Sequence, residues 1–233
     1  MGNGLLYLIP NVIAEGANET IPAQVTTVLP TIRIFLAENI RTARRFLSSL
    51  GIYDSIEDLT FHLLDKDILD VSEMMKPLNE GHHIGVISES GCPGVADPGA
   101  LAVAYAHANH IRVVPLAGPS SLLMALMASG LNGQQFVFHG YLPIDSKQGA
   151  ESLKTMEKES KKKSQTQVFI ETPYRNNQLF ELLLKTLQKT TLLTVAVDIT
   201  GTQESICTQS IGKWQSMKAS WPKEPAVFLF LAQ

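Results

Sequence analysis

Short apolar runs alternate with helix-like segments along the first half of the chain. Mostly apolar runs of strand length predict buried strands, at 5–9, 31–37, 84–87 and 112–116. Apolar residues at helical spacing or a run of alanines predict helices, at 21–29, 41–50, 72–80 and 100–108. This alternation of strand and helix predicts a largely parallel sheet with helices on its faces.

The second half of the chain follows a different pattern. A helix is predicted at 122–129 and a strand at 135–138, and later apolar runs alternate with small or polar residues, at 167–170, 192–199, 205–211 and 226–231. Connections as short as Gly201–Gln203 indicate that two or three of these strands are antiparallel. We therefore predict two α/β domains: an N-terminal domain at 1–115 with a mainly parallel sheet, and a C-terminal domain at 116–233 with a mixed sheet.

The composition of the chain limits the kinds of protein that it can be. The chain has 233 residues, of which 45% are hydrophobic and 18% charged, and its formal net charge is −3. It can therefore bury a sizeable core, and it has no overall positive field that would attract nucleic acid or an anionic membrane. The two cysteines, Cys92 and Cys207, and the absence of a membrane-length apolar run in the sequence predict a cytoplasmic protein without a membrane partner.

The chain contains two local clusters of basic residues despite its negative net charge. Arg41, Arg44 and Arg45 are spaced to share one face of a predicted helix, and residues 158–163 read K-E-S-K-K-K. The polar stretch before this lysine run has few apolar residues to anchor it. We interpret the run either as a solvated helix or loop, or as a flexible cationic arm that contacts phosphates.

Three loops at predicted strand ends combine glycine or proline with polar side chains. Ser88–Gly99 reads S-E-S-G-C-P-G-V-A-D-P-G, Leu116–Leu122 reads L-A-G-P-S-S-L, and Ile170–Arg175 reads I-E-T-P-Y-R. Such loops at the carboxyl ends of strands allow a ligand to approach backbone amides. They are equally compatible with ordinary strand-to-helix connections, and Glu171 and Arg175 with a local ion pair.

Several kinds of chemistry have no support in the sequence. Neither a G-x-G-x-x-G after the first strand nor a phosphate-binding G-x-x-x-x-G-K-[ST] occurs. The six histidines and two cysteines lack the spacing of a zinc site, so no metal is predicted. Cys92 lies in a turn, but no histidine is placed to activate it as a nucleophile.

The motifs taken together, in their order along the chain, resemble the tetrapyrrole methylase superfamily, the class III S-adenosylmethionine-dependent methyltransferases. Within it the chain is most similar to the branch that methylates a ribose 2′-hydroxyl of small-subunit ribosomal RNA. The matching segments are G-L-L-Y-L-I-P at 4–10, A-E-N-I-R-T-A-R-R-F-L at 37–47, the loop at 88–99, the segment around 113–121, H-G-Y-L-P at 139–143 and E-T-P-Y-R at 171–175. Some polar positions near the substrate depart from that branch, as in E-N-I-R at 38–41 where it has E-D-T-R.

The resemblance implies a homodimer in which S-adenosylmethionine binds in a cleft between the two domains. It implies ribosomal RNA or the small ribosomal subunit as a partner. Carried onto this sequence, the donor contacts are Leu8, Pro10, Gly91, Cys92, Pro93, Val95, Ser120, Ser121, Leu122, Ile170, Thr172, Ala196, Pro225 and Ala226.

Methylation of a hydroxyl group calls for a carboxylate or similar base, or for a cation that stabilises the developing oxyanion. Glu38 and Glu171 are the candidate bases, and Arg41 and Arg175 the candidate cations; the alternative for each pair is a structural salt bridge. Two other functions stay open: a methyltransferase of a tetrapyrrole or other small molecule, and a non-catalytic donor-binding or ribosome-associated protein.

Overall fold

The protein was analysed as a computed structural model that describes residues 3–64, 66–217, 219–221 and 223–233. The chain divides into two compact units, one up to Ser120 and one from Ser121 onward. The predicted domain limits, 1–115 and 116–233, stay a prediction. No helix among the described residues is both long and apolar enough to cross a bilayer.

The first unit is built on a five-stranded sheet in the order β3-β2-β4-β1-β5, with every neighbouring pair parallel. Its strands are β1 (Leu6–Ile9), β2 (Ile34–Ala37), β3 (Thr60–Leu63), β4 (Ile84–Ile87) and β5 (Val113–Pro115), and its helices are α1 (Ala23–Val28), α2 (Ile40–Ser49), α3 (Ser72–Met75) and α4 (Gly99–Ala108). Apolar clusters pack on the sheet, one around Phe35 and Leu47 and another around Leu36 and Met75. The predicted parallel sheet is confirmed.

Some elements of this unit differ from their predictions for local reasons. The strand β3 was not predicted, because its four residues alternate too briefly to stand out. The helix predicted at 72–80 is a four-residue α-helix followed by a 3₁₀ turn at Lys76–Glu80. Pro77 falls at the start of that turn and has no backbone N–H to continue an α-helix.

The second unit is built on a mixed five-stranded sheet in the order β6-β7-β10-β8-β9. Its strands are β6 (Phe136–Tyr141), β7 (Thr166–Glu171), β8 (Leu192–Val197), β9 (Ser205–Ser210) and β10 (Ala226–Leu231), and its helices are α5 (Ser121–Ser129), α6 (Ser146–Lys163), α7 (Asn176–Thr186) and α8 (Ile211–Ser216). The β6–β7 pair is parallel, and the β7–β10, β10–β8 and β8–β9 pairs are antiparallel. The predicted mixed sheet is confirmed.

The lysine-rich run at 158–163 is part of a regular helix and not a loop or a flexible arm. It forms the last third of α6, which begins at the N-cap Asp145, whose carboxylate accepts from Gln148 N at 2.9 Å. Leu153 and Ser160 are fully buried in this helix. The sequence concealed this anchoring, because part of the buried face of α6 is polar and gives no apolar signal.

Candidate functional site

The first unit gathers its loops at the carboxyl edge of the parallel sheet. The chain leaves β1 through Pro10 and Asn11, leaves β4 into the loop at 88–99, and leaves β5 into the segment Leu116–Ser120. Leu8, in β1, pairs in register with Val86 of β4 and with Pro115 of β5. Because parallel strands end at the same edge, these three loops start side by side.

Asn11 ties the first of these loops to the second. Its side chain is 1% exposed, and its Nδ2 donates to the carbonyl oxygens of Ser88 and Glu89, at 3.0 Å each. Its Oδ1 accepts from Val12 N at 2.8 Å, and its backbone N donates to Gly91 O at 2.8 Å. Asn11 was not predicted from the sequence as a site residue. The sequence did offer one signal, because an amide side chain follows directly after a buried strand and Pro10.

The loop at 88–99 is shaped by left-handed backbone and by one carboxylate. Gly91, Gly94 and Ala96 have φ of 67°, 84° and 62°, a region that favours glycine. Asp97 Oδ1 accepts from the backbone N of Gly94 and of Gly99, at 2.7 Å each. These bonds close the loop into a compact turn directly before α4.

Asp97 is also a perturbed carboxyl group that the sequence analysis did not single out. Burial raises its pKa above the ordinary value, although the two backbone hydrogen bonds act in the opposite direction. Its Oδ2 is buried without a hydrogen-bond partner. Val95, two residues earlier, is 50% exposed and presents an apolar side chain at the tip of the loop.

The third loop packs tightly against the first two. A Cβ atom added at Gly118 would lie 2.1 Å from Pro10 Cβ, and one added at Gly91 would lie 3.5 Å from Pro119 O. The thiol of Cys92 donates to Pro119 O at 3.3 Å. Burial, and secondarily the negative charge of Asp97, raise the pKa of this thiol. A raised pKa disfavours the nucleophilic thiolate.

Glu38 follows β2 at the same edge of the sheet. Its Oε2 accepts from Glu89 N at 3.3 Å, and Asn39 Nδ2 donates to Glu89 Oε1 at 2.8 Å. Burial raises the pKa of Glu38, and the charges of Glu89 and Asp97 act in the same direction, against the hydrogen bond from Glu89 N. A carboxyl group with a raised pKa in such a place is suited to exchange a proton.

Arg41, the predicted partner of Glu38, does not pair with it among the described residues. Arg41 is exposed in the first turn of α2, and no ion pair joins it to Glu38 among the described residues. The other arginines of the basic cluster have partners of their own. Arg44 lies over the Phe61 ring at 5.6 Å from its centroid, and Arg45 Nη1 lies 3.1 Å from Glu15 Oε1.

In the second unit the E-T-P-Y-R segment forms the end of β7 and a 3₁₀ turn before α7. The Glu171 side chain is 1% exposed, and its Oε1 accepts from Thr172 N at 2.8 Å. Arg175 Nη2 lies 3.3 Å from its Oε2, although this oxygen has no hydrogen-bond partner. The structure therefore brings this predicted pair together as a local ion pair between a buried carboxylate and a partly exposed guanidinium.

The remaining predicted donor contacts fall on three neighbouring strands of this unit, directly beside those strands, and at the boundary where α5 begins. Ala226 pairs in register with Glu171 of β7 and with Val197 of β8. Ile170 precedes Glu171 in β7, and Ala196 precedes Val197 in β8. Pro225 O, just before β10, accepts from Asp198 N at 3.0 Å. Thr172 is exposed. Ser120 ends the first unit, and Ser121 and Leu122, both half-buried, begin α5. Among the described residues no group of three or more metal-ligating side chains occurs.

The architecture is that of known methyltransferases with two α/β domains. A solved structure of uroporphyrin-III-C-methyltransferase from Thermus thermophilus superposes with a TM-score of 0.58 and 16% identity, covering 98% of this chain and 92% of that chain. The methyltransferase CobJ superposes with a TM-score of 0.63 and 19% identity, covering 98% and 94%. These two likenesses show the fold.

The family follows from the sequence comparison. The model of the Tetrapyrrole (Corrin/Porphyrin) Methylases matches residues 33–214, and the chain belongs to this family of methyltransferases. Ribosomal RNA small subunit methyltransferase I of Escherichia coli O157:H7 is 31% identical over 222 residues, which cover 95% of this chain and 73% of that protein. The protein of the same name from Buchnera aphidicola subsp. Acyrthosiphon pisum (strain APS) is 28% identical over 221 residues, covering 95% and 74%.

Proposed function

We propose that this methyltransferase uses S-adenosylmethionine to methylate a ribose 2′-hydroxyl in the RNA of the small ribosomal subunit. The observation that carries the choice of substrate is the similarity to ribosomal RNA small subunit methyltransferases along 95% of the chain. The two solved methyltransferase structures share the fold at less than 20% identity, which supports no choice of acceptor.

The residues of the first unit fit a nucleoside donor. Val95 offers a half-exposed apolar surface, and Gly94 and Ala96 beside it are exposed residues. The loop that carries them is fixed by the Asp97 carboxylate and by Asn11, so little ordering remains for the ligand to impose. When bound, this donor supplies a sulfonium methyl group that passes to an oxygen nucleophile as the sulfur leaves as a thioether.

The chain's own part in the reaction is to position the acceptor and to take up its proton. We assign the base to Glu38, because it is partly accessible and held by Glu89 N at the edge where the three loops start. Glu171, the other candidate, is buried against Arg175, and we assign that pair to fixing the E-T-P-Y-R turn. Arg41 is exposed and is proposed to contact a phosphate of the acceptor strand.

The test is incubation with methyl-labelled S-adenosylmethionine and purified small ribosomal subunits, followed by digestion of the RNA and mass spectrometry of its nucleosides. We expect label in one 2′-O-methyl nucleoside. We expect Glu38→Gln to lower the rate by about 10² to 10⁴-fold, as loss of a general base does. The matched control is Glu80→Gln, an exposed carboxylate that precedes β4.

Three results would contradict parts of this proposal. Label in a small-molecule extract but not in RNA would favour the alternative acceptor class. Donor binding without a labelled product would favour a non-catalytic role. Unchanged donor affinity by calorimetry in Val95→Trp and Ser121→Trp would show that the donor contacts are misplaced.

We also propose, from the family resemblance, that the chain acts as a homodimer in the cytoplasm. Light scattering on a size-exclusion column measures the mass directly. A mass of 25.5 kDa, that of one chain, would exclude the dimer under the conditions used.

A further inference from the structure

One face of α6 carries four lysines, which we call the lysine face: Lys154, Lys158, Lys161 and Lys162. Lys158 follows Lys154 by four residues and is followed by Lys161 and Lys162 at three and four residues, which puts the four lysines on neighbouring turns of one side of the helix. From Lys154 to Lys162 the helix rises about 12 Å at 1.5 Å per residue. All four side chains are exposed.

The lysine face is not neutralised by ion pairs. Other lysines of this unit, including one on another side of α6, do have acidic partners: Lys163 Nζ lies 2.6 Å from Glu159 Oε2, and Lys185 Nζ lies 3.5 Å from Glu181 Oε2. In the part of the chain that the structure describes, none of the four lysines forms an ion pair. Their charges therefore remain available to a partner.

The lysine face borders a concave surface and not a convex ridge. The concavity has a volume of about 500 Å³ and is completed by Thr186, Gln188, Ala232 and Gln233. Among its described lining residues Glu157 is the one with an acidic side chain, and it accepts hydrogen bonds from the Thr191 hydroxyl and from Gln188 N. Four lysines against this one glutamate leave the lining side chains with a formal charge of +3.

The backbone that presents the lysines is held in place. Ser160 Oγ accepts from Ala232 N at 2.9 Å, which ties the helix to the residue after β10. The bonds of Glu157 tie it to the turn before β8. The lysines thus project from a fixed helix.

The charges of the chain are unevenly divided between its two units. Residues 1–120 contain 7 lysines and arginines and 13 aspartates and glutamates, a formal charge of −6. Residues 121–233 contain 12 and 9, a formal charge of +3. The overall charge of −3 therefore conceals a positive second unit, and such asymmetry is typical of proteins that contact polyanions.

We propose that the lysine face binds the sugar-phosphate backbone of the substrate RNA. This inference rests on the proposed function and adds the surface that holds the RNA outside the reacting nucleotide. A nucleic-acid strand carries one phosphate per about 3.4 Å of helix axis, so the face spans about three phosphates. Flexible lysines suit contacts that hold a strand without selecting its bases.

The experiment measures binding of a fluorescently labelled single-stranded RNA by anisotropy, with the full chain, over a series of salt concentrations. The test variant is the triple Lys158→Gln, Lys161→Gln and Lys162→Gln. We expect its affinity to fall by about tenfold or more, and the slope of log K against log salt to become shallower by about 2, at about 0.7 per phosphate contact.

The matched control removes three charges of the same unit that lie outside the lysine face: Lys163→Gln, Lys185→Gln and Lys213→Gln. We expect a change of less than twofold in its affinity. Thermal unfolding checks that both triple variants fold. RNA should also slow the acetylation of Lys158 and Lys161 in the wild-type chain, measured by peptide mass spectrometry.

Equal losses in the two triple variants would overturn the proposal, because they would show diffuse attraction. No loss in either, or no RNA binding by the wild type in low salt, would overturn it as well. So would binding of phosphatidylserine vesicles that depends on the same lysines and exceeds RNA binding. Donor calorimetry and labelling of the ribosomal subunit test the proposed function separately, since neither readout depends on this oligonucleotide.

Discussion

Gly118→Ala is expected to disturb the carboxyl edge of the first sheet through a single added methyl group. The new Cβ would lie 2.1 Å from Pro10 Cβ and 2.3 Å from Pro10 Cγ. Carbon atoms in contact stay about 3.5 Å apart or more, so the two loops must separate by more than an ångström. The backbone at Gly118 is not left-handed, so the cost is steric and not conformational.

The substitution should lower both the stability of the first unit and its affinity for the donor. Overpacking of this kind costs about 2 kcal/mol, or roughly 5 to 10 °C in Tm for a unit of this size. Pro10 is a rigid ring that leads directly into Asn11, and Asn11 bridges to Gly91. The shift is therefore transmitted to the loop that is proposed to hold the donor, and we expect donor affinity to fall by about tenfold, equivalent to about 1.4 kcal/mol.

Circular dichroism melting and isothermal titration with S-adenosylmethionine measure the two effects. The control is Gly133→Ala, the same chemical change at a glycine whose added Cβ would meet nothing within 4 Å. If Gly118→Ala matched Gly133→Ala in both Tm and donor affinity, the close approach of these two loops would not contribute to the site. A fall in Tm with unchanged affinity would separate stability from donor binding and refute the second step of the reasoning.

Three further predictions concern the same edge of the sheet. Asn11→Ala removes three side-chain hydrogen bonds at a buried position and should cost about 2 to 4 kcal/mol in urea unfolding. The control Asn18→Ala, at a half-buried residue whose side-chain bonds to Ser49 are exposed to solvent, should cost less than about 1 kcal/mol. Cys92 should react with iodoacetamide more slowly than a free thiol at pH 8 in a Cys207→Ser background, because burial raises its pKa; a faster reaction would contradict this. Burial also raises the pKa of Glu38 above 4.5, so the folded state favours the protonated form of this side chain. The contribution of Glu38 to stability is therefore full at lower pH and is lost as pH rises through the folded-state pKa. Glu38→Gln should therefore raise Tm more at pH 7 than at pH 4, and an opposite trend would refute the burial argument.

The class of fold could be predicted from local pattern. Strand-length apolar runs such as Ile84–Ile87 are buried on both faces and keep their signal without knowledge of their neighbours. Short connections in the second half made antiparallel pairs predictable for the same reason. The family resemblance was likewise readable, because motifs at strand ends keep their order along the chain.

Interactions between residues that are distant in the sequence could not be predicted from local pattern. Asn11 and Ser88 are 77 positions apart, and Gly118 and Pro10 meet only because β1 and β5 are neighbours in the sheet. The raised pKa of Asp97 and of Glu38 depends on burial that the fold creates. None of these residues carries a local signal of its partners.

The sequence by itself determined every strand except the short β3, the loops at the strand ends and the chemical family of the chain, since each depends on residues close together in the chain. Tertiary structure decided which polar groups are buried, as with Glu171, and which stay exposed, as with Lys158 on α6. The physical reason is that the protonation and pairing of a charged group depend on its surroundings in space. Those surroundings come from segments that lie far apart in the sequence.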